Sequence, residues 1–203
     1  MRRSAILLTA VFLILAGGIA SAQQTEISAS VIDVYTNHVS GLGLQETATD
    51  SGGALISYRH FAQQHNGLEV NWSFTKNTQR YSDLAGVSVT SVQSKIQELT
   101  TAYVFHITRG SFQPFALAGA GFLMFSPTNY AVNAADPAVS RQIRPAFLYG
   151  VGVDYRLRKG LAVRAQYRSL VYESPDFFGG AVALHTSTAM QMREPCIGLI
   201  YRF

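Results

Sequence analysis

The sequence predicts an all-β fold: an eight-stranded antiparallel transmembrane β-barrel, with short turns at one rim and four longer loops at the other. Three observations predict it. Only 14% of the 203 residues are charged while 48% are apolar, whereas roughly a quarter of a soluble domain is usually charged. Apolar and polar residues alternate with a period of two through segments of about ten residues, as in strands whose two faces meet different surroundings. The chain opens with an export signal, yet nothing after it approaches the ~20 consecutive apolar residues of a spanning helix. A closed barrel satisfies all three, because it pairs every backbone N–H and C=O inside the protein.

The elements follow in chain order. Arg2 and Arg3 precede an apolar run over 6–14 broken only by Thr9, and Ala20, Ser21 and Ala22 supply the small residues of a cleavage site. Residues 1–22 are therefore expected to be a cleaved signal peptide and 23–203 the barrel. The first strand, over 27–35, alternates poorly, because Asp33 spoils whichever face is outward. Ala54, Ile56 and Tyr58 alternate against Ser57 and Arg59. The clearest strand runs Leu68-Glu69-Val70-Asn71-Trp72-Ser73-Phe74-Thr75. Leu99, Thr101, Tyr103, Phe105 and Ile107 then oppose Glu98, Thr100, Ala102, Val104 and His106. Phe115, Leu117, Gly119, Gly121, Leu123 and Phe125 oppose Ala116, Ala118 and Ala120. Over 146–155, Phe147, Tyr149, Val151, Val153 and Tyr155 share one face and Gly150, Gly152 and Asp154 the other. Arg164, Gln166 and Arg168 share the polar face of 161–168. Ile197, Leu199, Tyr201 and Phe203 share a face of the last strand. In each strand the greasy set is expected to meet lipid and its polar partner the barrel axis.

Connections alternate in length. Residues 63–67, 108–111 and 157–160 read as short turns. Residues 39–52, 77–93, 127–143 and 172–188 read as long loops, rich in Ser, Thr, Asn, Asp and Gly. An even strand count puts both chain ends at the short-turn, periplasmic rim. Pro145 and Pro195 are expected near strand starts at the loop rim, where a missing donor is tolerated.

The final residues, with Gly198 followed by Tyr201 and Phe203 at alternate positions, resemble the C-terminal signal read by the outer-membrane barrel assembly machinery. A last strand with free edge groups suits docking by strand addition. The chain also resembles bacterial outer-membrane β-barrel proteins of the OmpA transmembrane-domain and opacity-protein kind. Tyr103-Val104-Phe105-His106, the run from Gln113 to Gly121, Glu194-Pro195 and Tyr201-Arg202-Phe203 carry the resemblance. It implies an outer-membrane location, contact with outer-membrane lipid and the assembly machinery, and a possible extracellular ligand at the loops. It specifies no activity, and the peptidoglycan-binding domain of larger OmpA-type proteins is not expected.

Inward charges are the candidates for a specific role: Arg59, Glu69, Glu98, Arg164, Arg168 and Glu194. Arg59 and Glu69 flank one short turn, and Arg168 with Glu194 is the favoured pair. Charges in a narrow barrel must be paired or solvated, and eight strands leave an interior that side chains roughly fill. The expected interior is thus a polar plug, with a gated pore lined by Arg164, Arg168 and Glu98 as the alternative. His185 and Ser187, with Glu194 further on, faintly resemble the arrangement of outer-membrane lipid A deacylases. There Ser would need an adjacent base and an orienting acid. Thr188 departs from that family, which has Asn at this place.

The expectation is no enzyme, no metal and no cofactor. The five histidines lack ligand spacing, and one cysteine, Cys196, builds neither a disulfide nor a zinc cluster. Without Arg2 and Arg3 the net charge falls from +4 to +2, and the basic residues are scattered, which argues against nucleic acid. The expected role is structural or surface-interacting, with a narrow passive channel as the alternative and a lipid hydrolase a distant third.

Overall fold

The computed structural model describes residues 24–37, 39–41, 44–83, 88–108, 110–130, 141–175 and 189–203. The signal-peptide segment and the His185, Ser187 pair lie outside these residues. The strands are β1 (Gln24–Thr36), β2 (Val39–Gly41), β3 (Leu44–Ala48), β4 (Ser51–Phe61), β5 (Asn66–Asp83), β6 (Ser88–His106), β7 (Phe112–Tyr130), β8 (Gln142–Arg158), β9 (Leu161–Glu173) and β10 (Ala189–Arg202). All pairings are antiparallel. β1 bonds to both β4 and β10, and β4 through β10 pair in succession. Eight strands thus close into a barrel, while β2 and β3 form a small ribbon joined to β5.

Closure is tied at the short-turn rim. Glu26 lies opposite Arg202 in the β1–β10 ladder, and Thr25 and Phe203 exchange both backbone bonds at 3.2 and 3.0 Å. The β8–β9 turn needs only Lys159 and Gly160, and Gly160 takes φ +76°, a left-handed conformation natural to glycine. Gly198 has a local role as well: a Cβ there would overlap Ser30 Oγ and the Ala29 carbonyl. Its absence lets β10 approach β1.

The outward face is greasy. Leu68, Trp72, Leu99, Phe147, Val151, Ile197 and Leu199 are all exposed, an arrangement that only lipid makes favourable over so wide a surface. Tyr103, Phe105, Phe112, Tyr155, Tyr201 and Phe203 gather outward near the short-turn rim, as an interfacial aromatic girdle does.

Several sequence expectations need correction. β1 alternates regularly: Ser28, Ser30, Ile32 and Val34 point inward, while Ile27 and Val31 point out. Asp33 faces outward near the loop end, where its carboxylate accepts from Tyr35 Oη at 2.6 Å and the Val34 amide at 3.1 Å. In β7 the greasy side is reversed. Phe115, Leu117, Leu123 and Phe125 are buried in the lumen, and Ala116, Ala118 and Ala120 meet lipid. Hydrophobicity alone could not orient a strand apolar on both faces.

Residues 77–93, expected as a loop, are mostly ladder, paired from Asn77↔Ser94 to Tyr81↔Thr90. β5, β6 and β7 have 18, 19 and 19 residues, well beyond the ~9–11 that cross a bilayer. Their ends extend beyond that length, where no lipid-facing side is required and no period of two is imposed. The same holds for the β2–β3 ribbon within 39–52. Pro195 sits inside β10, opposite Tyr167 of β9. It lacks an N–H, and the β1–β10 ladder skips from Ile32↔Cys196 to Tyr35↔Arg193 at this point.

Candidate functional site

The inward faces of the strands build two layers. Near the short turns, direct cross-strand partners place opposite charges side by side: Arg59 with Glu69, Asp154 with Arg164, and Glu26 with Arg202. Arg59 Nη2 lies 2.6 Å from Glu69 Oε2, and its Nη1 lies 3.3 Å from Asp154 Oδ2. Arg164 grips Asp154 with two donors at 2.7 and 2.9 Å, the forked geometry that guanidinium allows. It also reaches Glu69 at 3.2 Å and Glu26 at 3.3 Å. Arg202 joins Glu26 at 2.8 Å and donates to Gln113 Oε1 at 2.9 Å. The Phe115 ring lies beside the guanidiniums of Arg59 and Arg164, 4.4 and 5.2 Å from its centroid. His106 Nε2 is 3.4 Å from Asp154 Oδ2. Three guanidiniums thus face three carboxylates, and every one of them is buried. Charge balance is what permits such a cluster.

Midway along the lumen stands a second group. Arg168 Nε donates to Glu194 Oε2 at 2.5 Å, and its Nη2 donates to Glu98 Oε2. β9 and β6 are not neighbours, so the second bond crosses the barrel. Ser73 and Thr100 hydroxyls donate to Glu98 at 2.9 and 2.7 Å. Toward the loop rim one side of the lumen becomes greasy, with Ile32, Val34, Leu148, Leu170, Met190 and Met192, while Thr75, Asn77 and Ser94 are buried on the β5–β6 side.

All six inward charges singled out from sequence therefore sit in the lumen and belong to these groups. The structure joins Arg59 with Glu69 and Arg168 with Glu194, and it draws Arg164 to Asp154 in preference to Arg168's partners. Sequence reasoning missed Glu26, Arg202, Gln113, His106 and Asp154 as members, although it placed Asp154 on the inward face of its strand. Counting by twos along β1 and β10 from Ser28 and Gly198 would have found the first two, had Asp33 not blurred the pattern. Tyr201 and Phe203 face outward at the short-turn rim. Among the described residues no group of His, Cys, Asp and Glu could hold a metal ion.

A closed ring of eight strands, a greasy exterior and an aromatic girdle define an integral barrel of the bacterial outer membrane. The chain belongs to the outer membrane protein beta-barrel domain family, whose profile matches residues 7–203. Its fold is similar to that of OprG from Pseudomonas aeruginosa, at 15% identity and a TM-score of 0.59, covering 90% of this chain and 96% of that one. It is also similar to Ail of Yersinia pestis in complex with the heparin analogue sucrose octasulfate, at 15% identity and TM-score 0.53, covering 89% and 99%. Neisserial surface protein A is similar at 15% identity and TM-score 0.52, covering 89% and 97%. Comparison with curated protein sequences finds no match.

Proposed function

We propose that the protein is a non-enzymatic outer-membrane barrel whose closed interior holds the projecting loop-side elements rigid for contact with an extracellular ligand. The observation that carries this reading is the cross-lumen bridge of Arg168 between Glu98 and Glu194, capped by the apolar layer around Leu148 and Leu170. Water and ions have no reason to traverse a layer of buried aliphatic side chains. The tall β5–β7 wall with its β2–β3 ribbon offers a surface outside the membrane. Ail, with the same fold, is known in complex with a heparin analogue, a precedent for polyanion contact by a barrel of this size.

Planar-bilayer recording tests the closed interior. The expected result is no stable conductance at low voltage; frequent, long-lived openings would refute the plug. A channel is the second reading. It is favoured by Arg168 Nη1, Glu194 Oε1 and Gln166 Nε2, buried atoms on neighbouring inward positions of β9 and β10 that have no hydrogen-bond partner among the described residues. If that reading held, Arg168→Ala would change ion selectivity. The absence of catalysis is tested separately by Ser187→Ala, which should leave lipid A processing unaltered.

A further inference from the structure

The outer wall is not uniform, and the irregular sector is on β5–β8. A groove of about 430 Å³ is lined by Trp72, Leu99, Phe122, Met124 and Ile143. A second, of about 460 Å³, lies on the other side of Phe122, between it and Phe147, over the small residues Ala120 and Gly121. Both are almost wholly apolar and open to the lipid side.

Above them, toward the loop rim, stand cations. Lys76 and Lys95 are direct cross-strand partners, both exposed and on the outward face. Like charges placed directly opposite repel and cost stability unless a counter-charge lies between them. Neither lysine has a carboxylate partner among the described residues. Arg141 is exposed too, and its Nη2 touches the sulfur of Met124 at the top of the first groove. Below this rim the outward side chains of β5 to β8 are Leu68, Val70, Trp72 and Phe74, then Gln97 to Phe105, Phe112 to Met124, and Ile143 to Tyr155, with no acid among them. The nearest outward acid on the neighbouring strand, Glu173 of β9, is held by Arg144 at 3.6 Å, and Asp33 stands farther round, on the outward face of β1.

We propose that this sector binds a phosphorylated, multi-chain lipid of the outer leaflet. Its phosphate lies between Lys76 and Lys95 within reach of Arg141, and its acyl chains occupy the two grooves flanking Phe122. The loop rim is the extracellular one, so the cations lie at the depth of outer-leaflet headgroups. Each basic side chain near an anionic headgroup adds attraction that falls off within a Debye length. The grooves supply shape for chains that an even wall would contact without preference. This assignment concerns the outside of the barrel and stands whether or not the lumen conducts.

Trp72 is the single tryptophan of the chain, and it lines the groove, so the protein carries its own probe. The refolded protein is placed in nanodiscs of phosphatidylcholine with brominated chains, which quench Trp72, and unbrominated lipid A is titrated in. Displacement of brominated chains should relieve quenching in a saturable way. In Lys76→Gln/Lys95→Gln, half-relief should require about tenfold more lipid A, and dephosphorylated lipid A should behave the same way with the unaltered protein. Ala120→Trp carries its own fluorescence, so it is compared by co-purification of lipid A, which should fall while both lysines remain. Heat-dependent gel mobility confirms that each variant is folded. Relief proportional to mole fraction and identical in all proteins, or an equal response to the dephosphorylated lipid, would overturn the proposal.

Discussion

The turn-side half of the lumen and its loop-side half are equally buried but held by different forces. The first is a balanced set of guanidiniums and carboxylates in which one atom often serves two partners, as Glu69 Oε2 does for Arg59 and Arg164. The second is dominated by aliphatic packing of Ile32, Val34, Leu148, Leu170, Met190 and Met192, with the uncharged Thr75, Asn77 and Ser94 on the β5–β6 side. Dispersion and hydrophobic burial are non-directional and tolerate a change of shape if volume is kept. Ion pairs in a dry lumen are directional, and losing one member strands the other. The difference teaches that the charged half can set the register of strands around the ring, while the greasy half is where the proposed closure of the lumen rests.

The sharpest way to break this comparison is Arg168→Met. It leaves Glu98 and Glu194, both buried, without their shared cation. The expected loss is about 3–5 kcal/mol, read as a lowered urea midpoint of the protein folded in lipid vesicles. Adding Glu98→Gln and Glu194→Gln should restore most of it, because the cost lies in stranded charge. Arg168→Lys should rescue poorly, since an ammonium cannot present the planar fork that spans β6 and β10. If Arg168→Met were as stable as the unaltered protein, the bridge would be dispensable and the plug would rest on the aliphatic layer alone.

A smaller effect is expected in the other half. Leu148 is fully buried, and Leu148→Ala should cost about 2–4 kcal/mol through lost contacts and the cavity left behind. Leu148→Met should cost under about 1.5 kcal/mol, unlike any conservative change at Arg168. The same Ala variant tests closure: leak conductance that rises in Leu148→Ala but not in Leu148→Met would place the seal in this layer.

The ring of strands was legible in the sequence wherever the two faces of a strand differ in kind. Trp72 against Ser73, or Tyr167 against Arg168, states its orientation outright. β7 did not, because its inward residues are apolar as well: Phe115 lies against the guanidiniums of Arg59 and Arg164, Leu117 is buried in the lumen, and Ala116 and Ala118 are adequate for lipid. Inward charges could be named by parity, yet their partners could not. Arg164 meets Glu69 across the lumen, a contact set by barrel diameter and strand tilt and not by any spacing along the chain. Nor could the sequence announce that 77–93 continues the ladder, because once a hairpin leaves the bilayer its pairing no longer needs an apolar face.

That projecting hairpin gives the smallest expected effect and the finest test of where the rigid barrel ends. Thr49, in the stretch between β3 and β4, donates its backbone N–H to the Thr78 carbonyl at 2.9 Å, and its hydroxyl accepts from the Thr78 amide at 3.0 Å. Thr49→Ala removes that acceptor at a part-buried site, worth about 0.5–1 kcal/mol. If the ribbon opens independently of the lumen, hydrogen exchange at the Thr78 amide should quicken by roughly two- to fivefold while the urea midpoint stays put. A midpoint that falls with it would mean that the ribbon and the lumen melt as one unit. The loop-side surface would then owe its rigidity to the charged half far below it, not to local bonds of its own.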